Sequence, residues 1–154
     1  MPEVLERINA TEIGNVMSES RKDVLLKALE AEVGAASVNL GTLFTDDVVG
    51  WSPYASVSGL SALADLAALR EEAFSNVVIS CRGLDEVGNK AFAEWLIEAD
   101  HTGPLVLGEG AELEPTGRRV QLAGVTVADF RGEKIRSFRT YFDDISLIEQ
   151  MVDV

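Results

Sequence analysis

The sequence predicts a single α+β domain. Three observations lead there: apolar residues recur at three- and four-residue spacing through the first half, the second half reads as strands joined by turns, and 154 residues suffice to bury one core without staples. A hydrophobic share of 47% against 25% charged residues is that of a folded domain rather than a disordered chain.

In order along the chain, Val4, Leu5, Ile8, Ile13, Val16 and Met17 suggest a short N-terminal helix or extension over residues 1–20. Ser20, followed three residues later by Asp23, makes a capping-box-like start for a helix whose stripe is Val24, Leu25, Ala28, Leu29 and Val33, ended by Gly34. A short helical piece is expected over 36–44, then a strand through Val48-Val49-Gly50-Trp51 stopped by Pro53. From Gly59 a further helix carries Leu60, Leu63, Leu66, Ala67 and Phe74 on one face and turns Asp65, Arg70, Glu71 and Glu72 to water. Strands follow at about 76–82, 90–101, 118–130 and 133–142, with turns at 83–89 and 131–133 and a long loop over 102–117. Asp143 or Asp144 caps a last helix through Leu147, Ile148 and Met151.

Charge narrows the partners. With 26 acids against 13 bases the net charge is −13, and such a field repels phosphate backbones and anionic lipid surfaces, so neither nucleic acid nor membrane is expected. Residues 1–20 hold acids where a signal peptide needs a basic start, which makes a cytoplasmic location the expectation. Cys81 and His101 are each the only residue of their kind, which excludes an internal disulfide and a Cys/His zinc site; no metal and no cofactor is expected. Cys81, within Val77-Val78-Ile79-Ser80-Cys81, reads as a small buried hydrophobe.

Strand alternation sorts the faces. Ala91, Ala93, Trp95, Ile97, Ala99 and His101 form the inner face of one strand, leaving Glu94, Glu98 and Asp100 outside, and Phe138, Thr140 and Phe142 form the inner face of the last. Residues 120–128 are apolar on both faces, as for a strand covered on both sides, and a partner subunit would supply the second cover. Periodicity alone favours a filled core of aromatics and alanines over an open cavity.

Together, Phe44-Thr45-Asp46-Asp47-Val48-Val49, His101-Thr102-Gly103-Pro104, Pro115-Thr116-Gly117-Arg118 and Arg139-Thr140-Tyr141-Phe142-Asp143 with Leu147 and Gln150 resemble the SnoaL-like polyketide cyclases and limonene-epoxide-hydrolase relatives of the nuclear transport factor 2 superfamily. The resemblance covers about residues 22–152, and the domain is taken as 21–154. It implies a cone: a strongly curved mixed sheet packed on N-terminal helices and enclosing an apolar pocket, with a homodimer formed through the open sheet face. That reverses the preference for a filled core. The implied chemistry is ring closure, isomerisation or epoxide opening on polyketide-like or terpenoid substrates, as in antibiotic biosynthesis.

The chain departs from that pattern where the family keeps its acids. The aspartate of the closing motif is Thr140 here; the Arg and Asp positions of the epoxide hydrolases fall on Trp95 and Ile97; the aspartate before the proline of the ketosteroid-isomerase-like branch is Ser52. A threonine hydroxyl orients a substrate but has no pKa for proton transfer near neutrality. The expectation is therefore a cyclase acting on a hydrophobic small molecule by shape, without a carboxylate acid or base. His101 and Tyr54 would assist and Thr140 would hydrogen-bond, within a wall of Trp51, Ser52, Trp95, Ile97, Phe138 and Phe142. For His101 the alternative is a structural bond to loop backbone. For the whole chain the alternatives are a non-catalytic binding or dimerisation module, and an isomerase or epoxide hydrolase.

Overall fold

The structure, a computed structural model, describes residues 19–107 and 110–152. The helix expected over 2–18, and with it the extension assigned to 1–20 apart from Glu19 and Ser20, lies outside the described residues. Helix α1 (Arg21–Glu32) starts as its sequence directs: the Ser20 hydroxyl accepts from the Asp23 backbone N–H at 3.4 Å and donates to the Asp23 carboxylate at 2.7 Å. Its buried stripe of Val24, Leu25, Ala28 and Leu29 continues one turn further, to Glu32. At its start the Arg21 guanidinium donates to the carbonyls of Gly88 and Gly132, tying the helix to two hairpin turns, and lies 5.8 Å from the centre of the Phe130 ring.

The helical piece expected over 36–44 shrinks to a 3-10 turn at Leu40–Thr42, and the chain enters strand β1 (Phe44–Ser52) earlier than expected. A short strand not expected from the sequence, β2 (Ala55–Ser58), folds back antiparallel on β1. Helix α2 (Leu60–Ala73) runs directly into β3 (Phe74–Val87), which hairpins onto β4 (Lys90–His101). The long loop contains a small hairpin of β5 (Leu105–Leu107) and β6 (Ala111–Leu113). Strands β7 (Arg119–Arg131) and β8 (Lys134–Phe142) complete the meander, and α3 (Asp144–Met151) begins with the Asp143 carboxylate accepting from Ser146 N–H at 3.1 Å.

The main sheet has the order β2-β1-β8-β7-β4-β3, antiparallel except for the β1–β8 pair. It is a mixed sheet packed with helices, so the α+β expectation stands, but the cone does not. The sheet is open and not strongly curled: it ends in β2 on one side and β3 on the other, and these edges do not pair with each other. Register shifts in β1, β3 and β8 bend single strands without rolling the sheet onto itself. The small inner-face residues of β4 mostly serve close packing. Ala91 and Ala93, at 0% and 1% exposure, belong to the same packed cluster as Val24, Leu25 and Ala28, so their short side chains admit α1 onto β4. A second cluster gathers Ala73, Leu105, Val120, Leu147 and Met151 around the ends of α2 and α3.

The two sheet faces differ as alternation requires. Trp95, Phe138 and Thr126 point inward, whereas Asp129, only 7% exposed, is held on the outer face by Lys90, Arg139 and Ser137. Those donors hold its carboxyl at about 2, well below the ordinary range. Among the described residues no helix is long and apolar enough to cross a membrane.

Candidate functional site

Between the inner face of the sheet and the three helices lies a cavity of about 330 Å³, bordering both packed clusters. Its size sits at the small end of ligand pockets, which run from about 300 to 1,000 Å³. The sheet supplies the floor through Trp95, Ile97, Phe138, Thr140 and Phe142. The C-terminal turn of α1, the middle of α2 and the β5–β6 hairpin supply the walls. The cavity is thus closed by helices and a hairpin rather than by curling of the sheet.

Two glycines set the attitude of the floor. Gly50 is registered against Phe138 and Gly124 against Trp95; a Cβ at Gly50 would lie 2.2 Å from the Phe138 ring, and one at Gly124 would lie 2.5 Å from the Trp95 ring. Each ring therefore lies down across a neighbouring strand that offers no side chain. Trp95 is further fixed by donating its indole N–H to the Thr126 hydroxyl at 2.9 Å, and Thr126 in turn bonds Thr140 at 3.0 Å. With Thr126 giving its proton to Thr140, the Thr140 hydroxyl can donate into the cavity.

Of the nine residues singled out from the sequence, Ser52, Tyr54, Trp95, Ile97, Phe138, Thr140 and Phe142 line this cavity. Trp51 does not. It faces the opposite side of the sheet, 43% exposed and stacked on Tyr141 with ring centroids 5.3 Å apart. Because Ser52 faces inward, strand alternation sends Trp51 outward. His101 is not at the rim either: it is fully buried at the end of β4 and lies outside the cavity lining. Its Nδ1 accepts from the Thr116 backbone N–H at 3.3 Å and meets the Thr116 hydroxyl at 3.0 Å, which leaves the ring proton on Nε2. Burial pulls its pKa below the usual value, against a smaller opposing pull from the Gly103 backbone, so it stays neutral near pH 7. This is the loop-fixing role, with Thr116 at Nδ1 and the Gly103 backbone of the Thr102-Gly103-Pro104 turn also acting on the ring.

Tyr54 faces the cavity with its hydroxyl committed, donating to the Asp144 carbonyl at 3.0 Å. Burial, with the nearby Asp144 and Asp143 charges, pushes its pKa up to about 12, so it is no base at neutral pH.

The sequence reading missed two lining residues, Glu32 and Arg70. Glu32 is 5% exposed, and burial raises its carboxyl pKa to about 7 despite the opposing charge of Arg70. Arg70 comes from α2, where it was expected to face water. The signal was present: Glu32 continues the Leu25, Ala28, Leu29 stripe, and Arg70 continues the Leu63, Leu66, Ala67 stripe. Among the described residues no group of three or more His, Cys, Asp or Glu side chains is arranged to hold a metal ion.

The family model for SnoaL-like polyketide cyclases matches residues 31–151. Among solved structures, the fold is similar to that of a SnoaL-like protein from Jannaschia sp. CCS1, with a TM-score of 0.74 and 15% identity over 87% of this chain and 93% of that one. It is also similar to TsrD from Streptomyces laurentii, with a TM-score of 0.69 and 18% identity over 86% of this chain and 94% of that one. A SnoaL-like polyketide cyclase from Agrobacterium tumefaciens gives a TM-score of 0.66 and 21% identity over 87% and 99%. At such identities the likeness to these structures is one of fold. No curated protein matches the chain significantly.

Proposed function

Because the chain belongs to the SnoaL-like polyketide cyclase family of the nuclear transport factor 2 superfamily, we propose that it is a cytoplasmic cyclase of bacterial secondary metabolism, closing a ring in a neutral, hydrophobic, polyketide-like substrate. The observation that carries this reading is the lining of the 330 Å³ cavity, where Trp95, Phe138 and Phe142 face aliphatic side chains of the helices and few polar groups interrupt them. A flexible chain pressed against these rings gives up its rotational freedom on binding rather than during reaction. Such preorganisation supplies about 7 to 11 kcal/mol in the best oriented cases. The Thr140 hydroxyl is the polar handle, placed to donate to a substrate carbonyl.

Isomerisation and epoxide hydrolysis fit less well, since Thr140, Trp95, Ile97 and Ser52 stand where those relatives carry their acids and arginine. A second reading, ligand binding without turnover, is favoured by the scarcity of ionisable groups in the lining. Native mass spectrometry and product analysis with aromatic polyketide intermediates of graded size separate the two. The cyclase reading expects retention of neutral ligands that fit the cavity and conversion of at least one to a ring-closed product. Retention without conversion of any would leave only the binding module. Trp95→Ala is expected to weaken retention about tenfold to a hundredfold, from loss of one large buried apolar contact.

The outer face of the sheet suits a second copy of the chain. Val49, Trp51, Tyr141 and Val125, 39% to 48% exposed, form an apolar patch across β1, β8 and β7. The expected solution state is a homodimer, and Tyr141→Arg is expected to give a folded monomer by sedimentation velocity. A wild-type chain that sediments as a monomer at tens of micromolar would remove the dimer.

A further inference from the structure

We infer that Glu32 is the proton-transferring group of this cavity and that Arg70 stabilises the negative charge its action creates, so the ligand is a carbonyl compound with acidic α-hydrogens. The inference deepens the cyclase reading and rests on it.

The geometry comes first. Glu32 ends α1 on the helix face that packs inward, is 95% buried by its 5% exposure, and lines the cavity. Its carboxyl has no hydrogen-bond or ion-pair partner among the described residues. Arg70, from α2, lines the same cavity and acts on Glu32 through space without an ion pair. A buried carboxyl without a partner is costly to the fold, and an apolar residue would continue the stripe better. Such a violation of local packing in a cavity wall marks a site of chemistry.

Titration fits the geometry. The raised pKa keeps both the acid and the carboxylate populated near neutrality, as a group that takes and returns a proton requires. The ionisable groups lining the cavity are Glu32 from α1, Arg70 from α2 and Tyr54 beside β2; the lining residues of the sheet, the β5–β6 hairpin and α3 carry none. Tyr54 is held neutral, which leaves Arg70 as the charge that tunes Glu32.

The step balances without a further reactant. The Glu32 carboxylate takes an α-proton, so a C–H bond breaks and an O–H bond forms on the carboxyl. The bonding pair moves into the carbonyl, giving an enolate whose oxygen Arg70 stabilises. The enolate carbon is then the nucleophile for ring closure, and the proton on Glu32 returns to the oxygen of the carbonyl it attacks.

The test uses 2-tetralone, a neutral bicyclic ketone with acidic α-hydrogens. Binding to the full-length protein is measured by calorimetry, and α-proton exchange in deuterated water by proton NMR. The wild type is expected to bind the probe and to accelerate exchange above buffer, with the rate rising with pH through a midpoint near 7. Glu32→Gln should bind it as well and lose the acceleration by roughly a hundredfold or more. Glu32→Asp should keep part of it. Arg70→Met should slow exchange and move the midpoint upward, a shift that a purely structural role for Arg70 would not produce. A probe that binds but exchanges no faster than in buffer, or at equal rates with wild type and Glu32→Gln, overturns the role of Glu32 and leaves the cavity reading intact. A probe that does not bind overturns both.

Discussion

Glu32→Gln is expected to stabilise the protein, and only above about pH 5. In the unfolded chain the carboxyl titrates at its ordinary 4.5, while in the folded protein burial holds it at about 7. Below 4.5 both states keep the proton and the group is silent. Between the two values only the unfolded chain releases its proton, so stability falls as pH rises, and above 7 the full loss of about 3 kcal/mol stands. Glutamine presents the same shape without the charge. Variant and wild type should therefore unfold alike in urea at pH 4.5 and differ by about 3 kcal/mol at pH 8, on the order of 10 °C in thermal midpoint for a domain of this size. His101, whose pKa is lowered, pushes the other way by destabilising the fold as pH drops below the usual imidazole value. Its contribution, like that of the depressed Asp129 carboxyl at still lower pH, is common to both proteins and cancels in the difference. A difference between the two that is the same at pH 4.5 and pH 8 would mean that Glu32 is not held protonated by burial.

Gly103→Ala is expected to be the most damaging small substitution in the chain. Thr102 and Gly103 both donate their backbone N–H to the Ala73 carbonyl, at 3.1 and 3.0 Å, where the chain leaving β4 crosses the end of α2. A Cβ at Gly103 would sit 1.9 Å from the Glu72 carbonyl oxygen and 2.8 Å from its carbon, and backbone cannot swing aside as a side chain does. Relief would require lifting the loop from the helix end, at a cost of about 3 kcal/mol or more. Gly117→Ala is the control: its φ of 71° strains an alanine by about 1 kcal/mol, but nothing lies within 4 Å of the added carbon. Chemical denaturation of both should separate them by about 2 kcal/mol. Equal costs would show that the crossing is looser than the geometry indicates.

What the sequence made legible follows from how local each signal is. Caps and stripes are local, and α1, α2 and α3 start where Ser20, Gly59 and Asp143 say they do. Alternation is local too, so the inner faces of β4 and β8 were read correctly residue by residue. Strand β2 escaped because Ala55-Ser56-Val57-Ser58 is weakly apolar and gains its pairing from β1 alone. Strand β3 was cut short at Gly83, where the register shift lies, although pairing resumes beyond it to Val87. Sheet curvature is a global property, and inward-facing alanines do not reveal whether a void or a helix will fill the space they leave. At the site, Trp51 was misplaced by grouping aromatics by type instead of by face. Glu32 and Arg70 both stand at stripe positions, but a charged side chain there carries no apolar signal to mark it as buried.

The glycines beneath the floor rings put the capacity of the hollow under the control of residues that do not touch its contents. At Gly50 the three atoms nearest an added methyl all belong to the Phe138 ring, whose tilting upward would shrink the chamber. At Gly124 it would also strike the Tyr141 carbonyl oxygen at 2.7 Å, so that strand has no such freedom. Position 50 is therefore a volume dial, through which a single carbon added on a neighbouring strand would retune which molecular sizes are admitted while every contacting side chain keeps its identity.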